Sequence, residues 1–184
     1  MSGADTRPAG AQAAGTQPAG APGAGQLPWL AVTAIVVALD QWSKHMVEAL
    51  LAPYEVRSLL PVLDVVRARN PGVAFSLFDG GAGWQKWFFS GLAIVVSVVL
   101  VGWIARLPRA AKVQGAALAL ILAGAIGNML DRLRLGSVVD FILVHWHDHY
   151  FWAFNVADAA ITVGAALLVI DALFGHGNAG PQEG

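Results

Sequence analysis

The sequence predicts an all-α membrane protein with four transmembrane helices and a small β element between the first two. Three observations carry this reading. Apolar residues make up 57% of the 184-residue chain and charged residues only 12%. The apolar residues concentrate in four stretches, at about 28–48, 87–106, 113–130 and 154–174, each close to the roughly 20 residues a helix needs to cross a bilayer. Acids stand at the ends of these stretches: Asp131 and Asp158 flank the connection between the last two, and Asp140 lies within it. A soluble domain of this length would disperse its apolar residues in shorter patterned elements.

Composition sets further bounds. A net charge of −1 and the lack of a basic tract argue against nucleic acid as a partner. The chain has no cysteine, which excludes disulfide and thiol chemistry. Residues 1–26, rich in Ala, Gly, Pro, Gln and Thr, read as a disordered cytoplasmic tail with no reason to pack. The apolar run beginning near Pro28 is too long and starts too late for a secretory leader, so it is expected to remain as the first span. Residues 27–174 form one four-helix membrane domain, followed by a second cytoplasmic tail at 175–184.

The elements follow in order. The first segment ends in Asp40 and Lys44, four residues apart and therefore on one helix face, where they can pair. Residues 50–83 are too apolar for a plain solvent loop: Val56 to Val66, broken at Pro61, suggests short strands resting on the membrane surface. Asn70-Pro71-Gly72 reads as a turn, Val73 to Phe78 as another short apolar run, and Gly80, Gly81 and Gly83 as a flexible exit. Trp84 and Trp87 suit the interface at the start of the second span. Arg106, Arg109 and Lys112 lie in the connection to the third span with no acid nearby, which makes that connection cytoplasmic. Both termini are then cytoplasmic, with 50–83 and 131–153 on the outer side. Gly115, Gly124 and Gly127 leave room on the third segment for a close neighbouring helix.

This topology brings Asp131, Asp140 and Asp158 to one membrane face. Carboxylates near lipid are costly and mark functional sites. Asn128 and Asn155 each precede an aspartate by three residues, on the same helix face, and an asparagine amide can orient a carboxylate. Arg132 beside Asp131 offers that acid a structural ion pair, which leaves Asp140 and Asp158 without an adjacent base. Two carboxylates held together in a partly desolvated site share a proton. The ionised member can activate water, while the protonated one polarises a carbonyl and later protonates the leaving amine. That is peptide hydrolysis without cofactor or metal. The bland alternative is that Asp158 caps the fourth segment while Asp140 faces solvent.

Other catalytic sets are weaker. His145, His147 and His149 alternate and would share one strand face, but spacing of this kind without a second cluster has low specificity for zinc. There is no His-Glu-x-x-His motif. Ser43, Ser76, Ser90, Ser97 and Ser137 have no convincing base, and neighbouring Ser43 and Lys44 point in different directions on a helix.

Five blocks in order carry a resemblance: Asp40-Gln41-Trp42-Ser43-Lys44; Asn70-Pro71-Gly72-Val73-Ala74-Phe75-Ser76; Gly124 to Arg132; Gly136 to Phe141; and Phe154-Asn155-Val156-Ala157-Asp158. Together they resemble the lipoprotein signal peptidases (signal peptidase II) of bacterial inner membranes. The resemblance implies an aspartic endopeptidase that removes signal peptides from diacylglyceryl-modified prolipoproteins, cutting before the lipidated cysteine. It implies Asp140 and Asp158 as the catalytic pair, and Asn70, Asn128, Asp131, Arg132 and Asn155 as supporting residues. Asp40 and Lys44 match a structural pair of the first helix. The implied fold adds a small extracytoplasmic β cradle and a mobile helical outer loop to the four helices. One four-helix unit contains every residue this mechanism needs, so a monomer suffices. Two other classes compete with the peptidase: a solute carrier, whose acids would sit nearer the bilayer midplane, and a scaffold, which leaves the Asn-to-Asp spacing without purpose.

Overall fold

The computed structural model describes residues 28–72 and 84–175. Four helices make the frame: α1 (Trp29–Leu50), α2 (Trp84–Arg106), α3 (Lys112–Leu135) and α4 (Val156–Phe174). Among the described residues four strands lie between them: β1 (Val56–Leu60) and β2 (Leu63–Asn70) after α1, then β3 (Val138–Trp146) and β4 (His149–Tyr150) after α3. The tails, the Val73–Phe78 run with Ser76, and the glycine exit at 80–83 lie outside the described residues.

Among the described residues three helices, α2, α3 and α4, are long and apolar enough to cross a membrane. α1 has 22 residues, but Asp40, Lys44 and Glu48 interrupt its apolar run. The outward faces agree with a lipid surrounding: Val95, Val98 and Val99 on α2 and Val169 and Leu173 on α4 are exposed. α3 is the hub and packs on the other three, most extensively on α4. Its glycines permit this. A Cβ on Gly115 would strike the Trp29 ring, one on Gly124 the Ala157 carbonyl, and one on Gly127 would lie 2.6 Å from Asp40 Oδ2. Leu100, Ile104, Leu107, Leu118 and Leu122 close the α2–α3 end of the core.

The short strands expected in 50–83 are present as β1 and β2, turning at Pro61–Val62. The connection holding Asp140, expected as an outer loop, extends the same sheet instead. The order is β1-β2-β3-β4 and every pair is antiparallel. Within β2 and β3, Val65 faces Ile142 but Ala68 faces Asp140, so β2 carries one extra residue between them. A bulge of this kind kinks the strand and re-aims side chains, and here it stands beside Asp140. Gly136, at φ 78°, ends α3 in the left-handed conformation and donates to Arg132 O at 3.0 Å, turning the chain directly into β3.

Candidate active site

The start of α4 is fastened to the sheet before it becomes a helix. Phe154 N–H donates to Ile142 O at 3.0 Å and Phe154 O accepts from Ile142 N–H at 2.8 Å, two residues beyond Asp140. Asn155 follows as the N-cap. Its Oδ1 accepts from Asp158 N–H at 2.9 Å, while Asp158 Oδ2 accepts from Asn155 N–H at 3.3 Å. This reciprocal cap places the Asp158 carboxylate on the positive end of a helix. Its other oxygen, Oδ1, accepts from Asn128 Nδ2 at 2.7 Å. The capping alternative and the site reading therefore describe the same residue.

Asp140, on β3, is only 3% exposed, and its Oδ1 accepts from Asn155 Nδ2 at 2.7 Å. Burial, and then the charge of Asp158, push its carboxyl up to about 6, against the amides of Asn70 and Asn155 and the Lys44 ammonium. Two cavities lie near these acids, one reaching Asp140 and the other Asn128. One of about 610 Å³ is lined by Ala68, Asn70, Gly72, Asp140 and Trp152 on the sheet side. The other, about 250 Å³, opens between α2, α3 and α4 beside Phe89, Leu92, Gly124, Asn128, Arg132 and Ile161. The turn expected at Asn70-Pro71-Gly72 forms: Gly72, at φ 92°, donates its N–H to Asn70 Oδ1 at 2.8 Å.

Behind the acids lies a buried polar layer. Lys44 Nζ is 2.8 Å from Asp40 Oδ2 and 3.0 Å from Asp131 Oδ2, and donates to Asn128 Oδ1 at 3.1 Å. Asp40 Oδ1 accepts from Ala157 N–H at 2.8 Å, so α1 grips the first turn of α4. The expected Asp40–Lys44 pair is thus present and larger than a pair.

Two expected partnerships differ. Asp131 pairs with Lys44 rather than Arg132, and also accepts from Val139 N–H at 3.1 Å. Successive residues diverge by about 100° around a helix, so Arg132 faces elsewhere, with its guanidinium 5.1 Å over the Phe89 ring. Asn128 donates to Asp158 on α4, not to Asp131 on its own helix. Gln41 was given no role from sequence, yet its Nε2 donates to Asp131 Oδ1 at 2.9 Å and Gly127 O at 3.2 Å. Its only signal was a polar side chain within an apolar run.

The histidines do not converge. His145 stacks on Tyr150 with Nε2 3.4 Å from Asp64, whereas His147 and His149 are exposed. Among the described residues no group of three or more His, Cys, Asp or Glu is placed to hold a metal ion.

Fold and site together define a helical membrane protein in which a buried carboxylate, Asp140, and a half-buried one, Asp158, are each held by a side-chain amide. Residues 32–174 match the profile of signal peptidase (SPase) II. Lipoprotein signal peptidases are similar to this chain along most of its length. That of Teredinibacter turnerae is 46% identical over 149 residues, covering 81% of this chain and 89% of the relative. That of Pseudomonas syringae pv. tomato is 51% identical over 148 residues, covering 79% and 86%. A bacterial membrane enzyme solved by the in meso method superposes with a TM-score of 0.74 at 28% identity, over 85% of this chain and 94% of that one. The chain belongs to the signal peptidase II family. It is a multi-pass protein of the bacterial inner membrane.

Proposed function

We propose that Asp140 and Asp158 are the catalytic pair of this peptidase, with Asp140 the member that carries the proton when the pair holds one. The activity is that of a signal peptidase II: removal of signal peptides from diacylglyceryl-modified prolipoproteins by cleavage before the lipidated cysteine. One observation carries the assignment of roles. Each acid receives a side-chain amide at 2.7 Å, but only Asp158 also sits in a helix cap, while only Asp140 is buried away from solvent. Helix terminus and donors favour charge at Asp158; burial disfavours it at Asp140.

The chemistry follows. Asp158 takes a proton from water as the oxygen attacks the scissile carbonyl, and Asp140 gives its proton to the carbonyl oxygen. When the resulting diol collapses, Asp140 recovers that proton. The leaving amine takes the one held by Asp158. The proton reaching the amine thus comes from the base, not from the initially protonated acid. Asn70, Asn128 and Asn155 hold the pair, Arg132 and Phe89 border the helix-side cavity, and Asp131, Asp40, Lys44, Gly124 and Gly127 hold the frame.

The same reading places four spans in the bilayer, with the 22 residues of α1 as the first. Exposed Arg106, Arg109 and Lys112 at the α2–α3 turn support a cytoplasmic side for that end and for both termini. The site and sheet then lie at the periplasmic face, where water and a lipid-anchored substrate meet. All the residues used belong to one chain, which suits a monomer.

The test is cleavage of a diacylglyceryl-modified prolipoprotein in detergent by the wild type, Asp140→Asn and Asp158→Asn. Both folded variants should lose at least about 100-fold in kcat. Near-normal turnover by either would remove that residue from the pair.

A further inference from the structure

Three asparagines face the paired acids, and each has its carbonyl oxygen already engaged. Asn70 Oδ1 accepts from Gly72 N–H, and Asn155 Oδ1 from Asp158 N–H. Asn128 Oδ1 accepts from Lys44 Nζ at 3.1 Å and from Asn155 Nδ2 at 3.2 Å. A side-chain amide carries acceptor and donor on opposite arms, so fixing the oxygen decides where the NH2 points. The first two are fixed by backbone N–H groups of their own turn or cap. Asn128 lies within α3, where backbone N–H groups serve the helix, and its oxygen is held by an ammonium from α1.

Lys44 is 2% exposed. Its three N–H bonds meet three acceptors: two carboxylates, which more than offset its single charge, and the neutral Asn128 amide. We infer that Lys44 is a positioning residue for the peptidase reaction: its ammonium holds the Asn128 NH2 toward Asp158 and so keeps Asp158 as the water-activating carboxylate. The inference rests on the catalytic pair proposed above. Without the ammonium, Asp131 and Asp40 would draw the Asn128 NH2 toward themselves. The turned amide would present its oxygen to the Asp158 carboxylate, replacing a donor by a lone pair.

The charged groups around Asp158 are Asp140 from β3, Arg132 from α3 and, one amide away, Lys44 of α1 with Asp40 and Asp131. Removing Lys44 also removes its direct field, so the experiment has to separate field from amide orientation. A double-mutant cycle does this. The kcat/KM–pH profile of the full-length enzyme in detergent, on a diacylglyceryl-modified prolipoprotein, is measured for wild type, Lys44→Met, Asn128→Ala and the double variant, each scaled to its folded fraction.

Both single variants should move the acidic limb upward by about one pH unit, with about tenfold lower kcat and little change in KM. The double variant should match the single ones. Lys44→Gln, which keeps a donor for Asn128 without the charge, should return the limb toward wild type. Should Lys44→Met fail to fold, the Asp40→Asn/Lys44→Met pair takes its place, since it removes one charge of each sign. Additive effects of Lys44 and Asn128, or an unmoved limb in Lys44→Met, would overturn the inference. An active Asp158→Asn enzyme would instead overturn the catalytic pair, so the two failures are distinguishable.

Discussion

Asp140 occupies a place where burial and a neighbouring carboxylate act in the same direction, and this has a consequence for stability. Its carboxyl titrates near 3.8 when unfolded and at about 6 in the folded protein. Between these values the folded state binds more protons than the unfolded one, so stability falls as pH rises through that window and stays lowered above it. Asp140→Asn cannot ionise and avoids the loss. The thermal midpoint of the variant, minus that of wild type, should therefore grow from pH 4 to about pH 6 and then level off. A difference that stays flat across those pH values would contradict this view of Asp140. Residue identities at the site were legible in the sequence because acids and amides stand out in an apolar chain. Their partners were not. Asn128 serves Asp158 across 30 residues and Lys44 serves Asp131 across 87, distances that no local spacing encodes.

At the scale of elements, the α3 glycines and the α4 cap hold the site together. Gly127 faces the Asp40 carboxylate, which is itself held by Lys44 and Ala157 N–H and cannot retreat. Gly127→Ala should destabilise by about 1–3 kcal/mol, as overpacking of a filled interior does. Gly91 on α2 has nothing within 4 Å of a would-be Cβ among the described residues, so Gly91→Ala should be neutral or stabilising, by up to about 1 kcal/mol. Melting both variants in detergent checks the contrast; equal effects would mean that the close approach at Gly127 is not what constrains it. The helices were readable from apolar length alone. β3 was not, because Val138, Val139, Asp140 and Phe141 are all buried, which erases the in-and-out alternation by which a strand announces itself.

For the whole molecule, the proposed orientation is open to a direct test, since the chain has no cysteine of its own. Ala110 at the α2–α3 turn and His149 in the sheet are both exposed. In intact cells, His149→Cys should react with a thiol reagent confined to the periplasmic side and Ala110→Cys should not; the reverse pattern would invert the topology. Hydrophobic length and rare polar residues are local properties, so the membrane-spanning segments, the candidate acids and the family could be read along the chain. Folding was needed to set β3 with Asp140 against a bulged β2, to let Asn155 cap α4 while donating to Asp140, and to bring Lys44 to Asp131 and Asn128. Those outcomes depend on which helix faces meet and on which donors remain once backbone groups are satisfied, and neither quantity exists until the segments have packed.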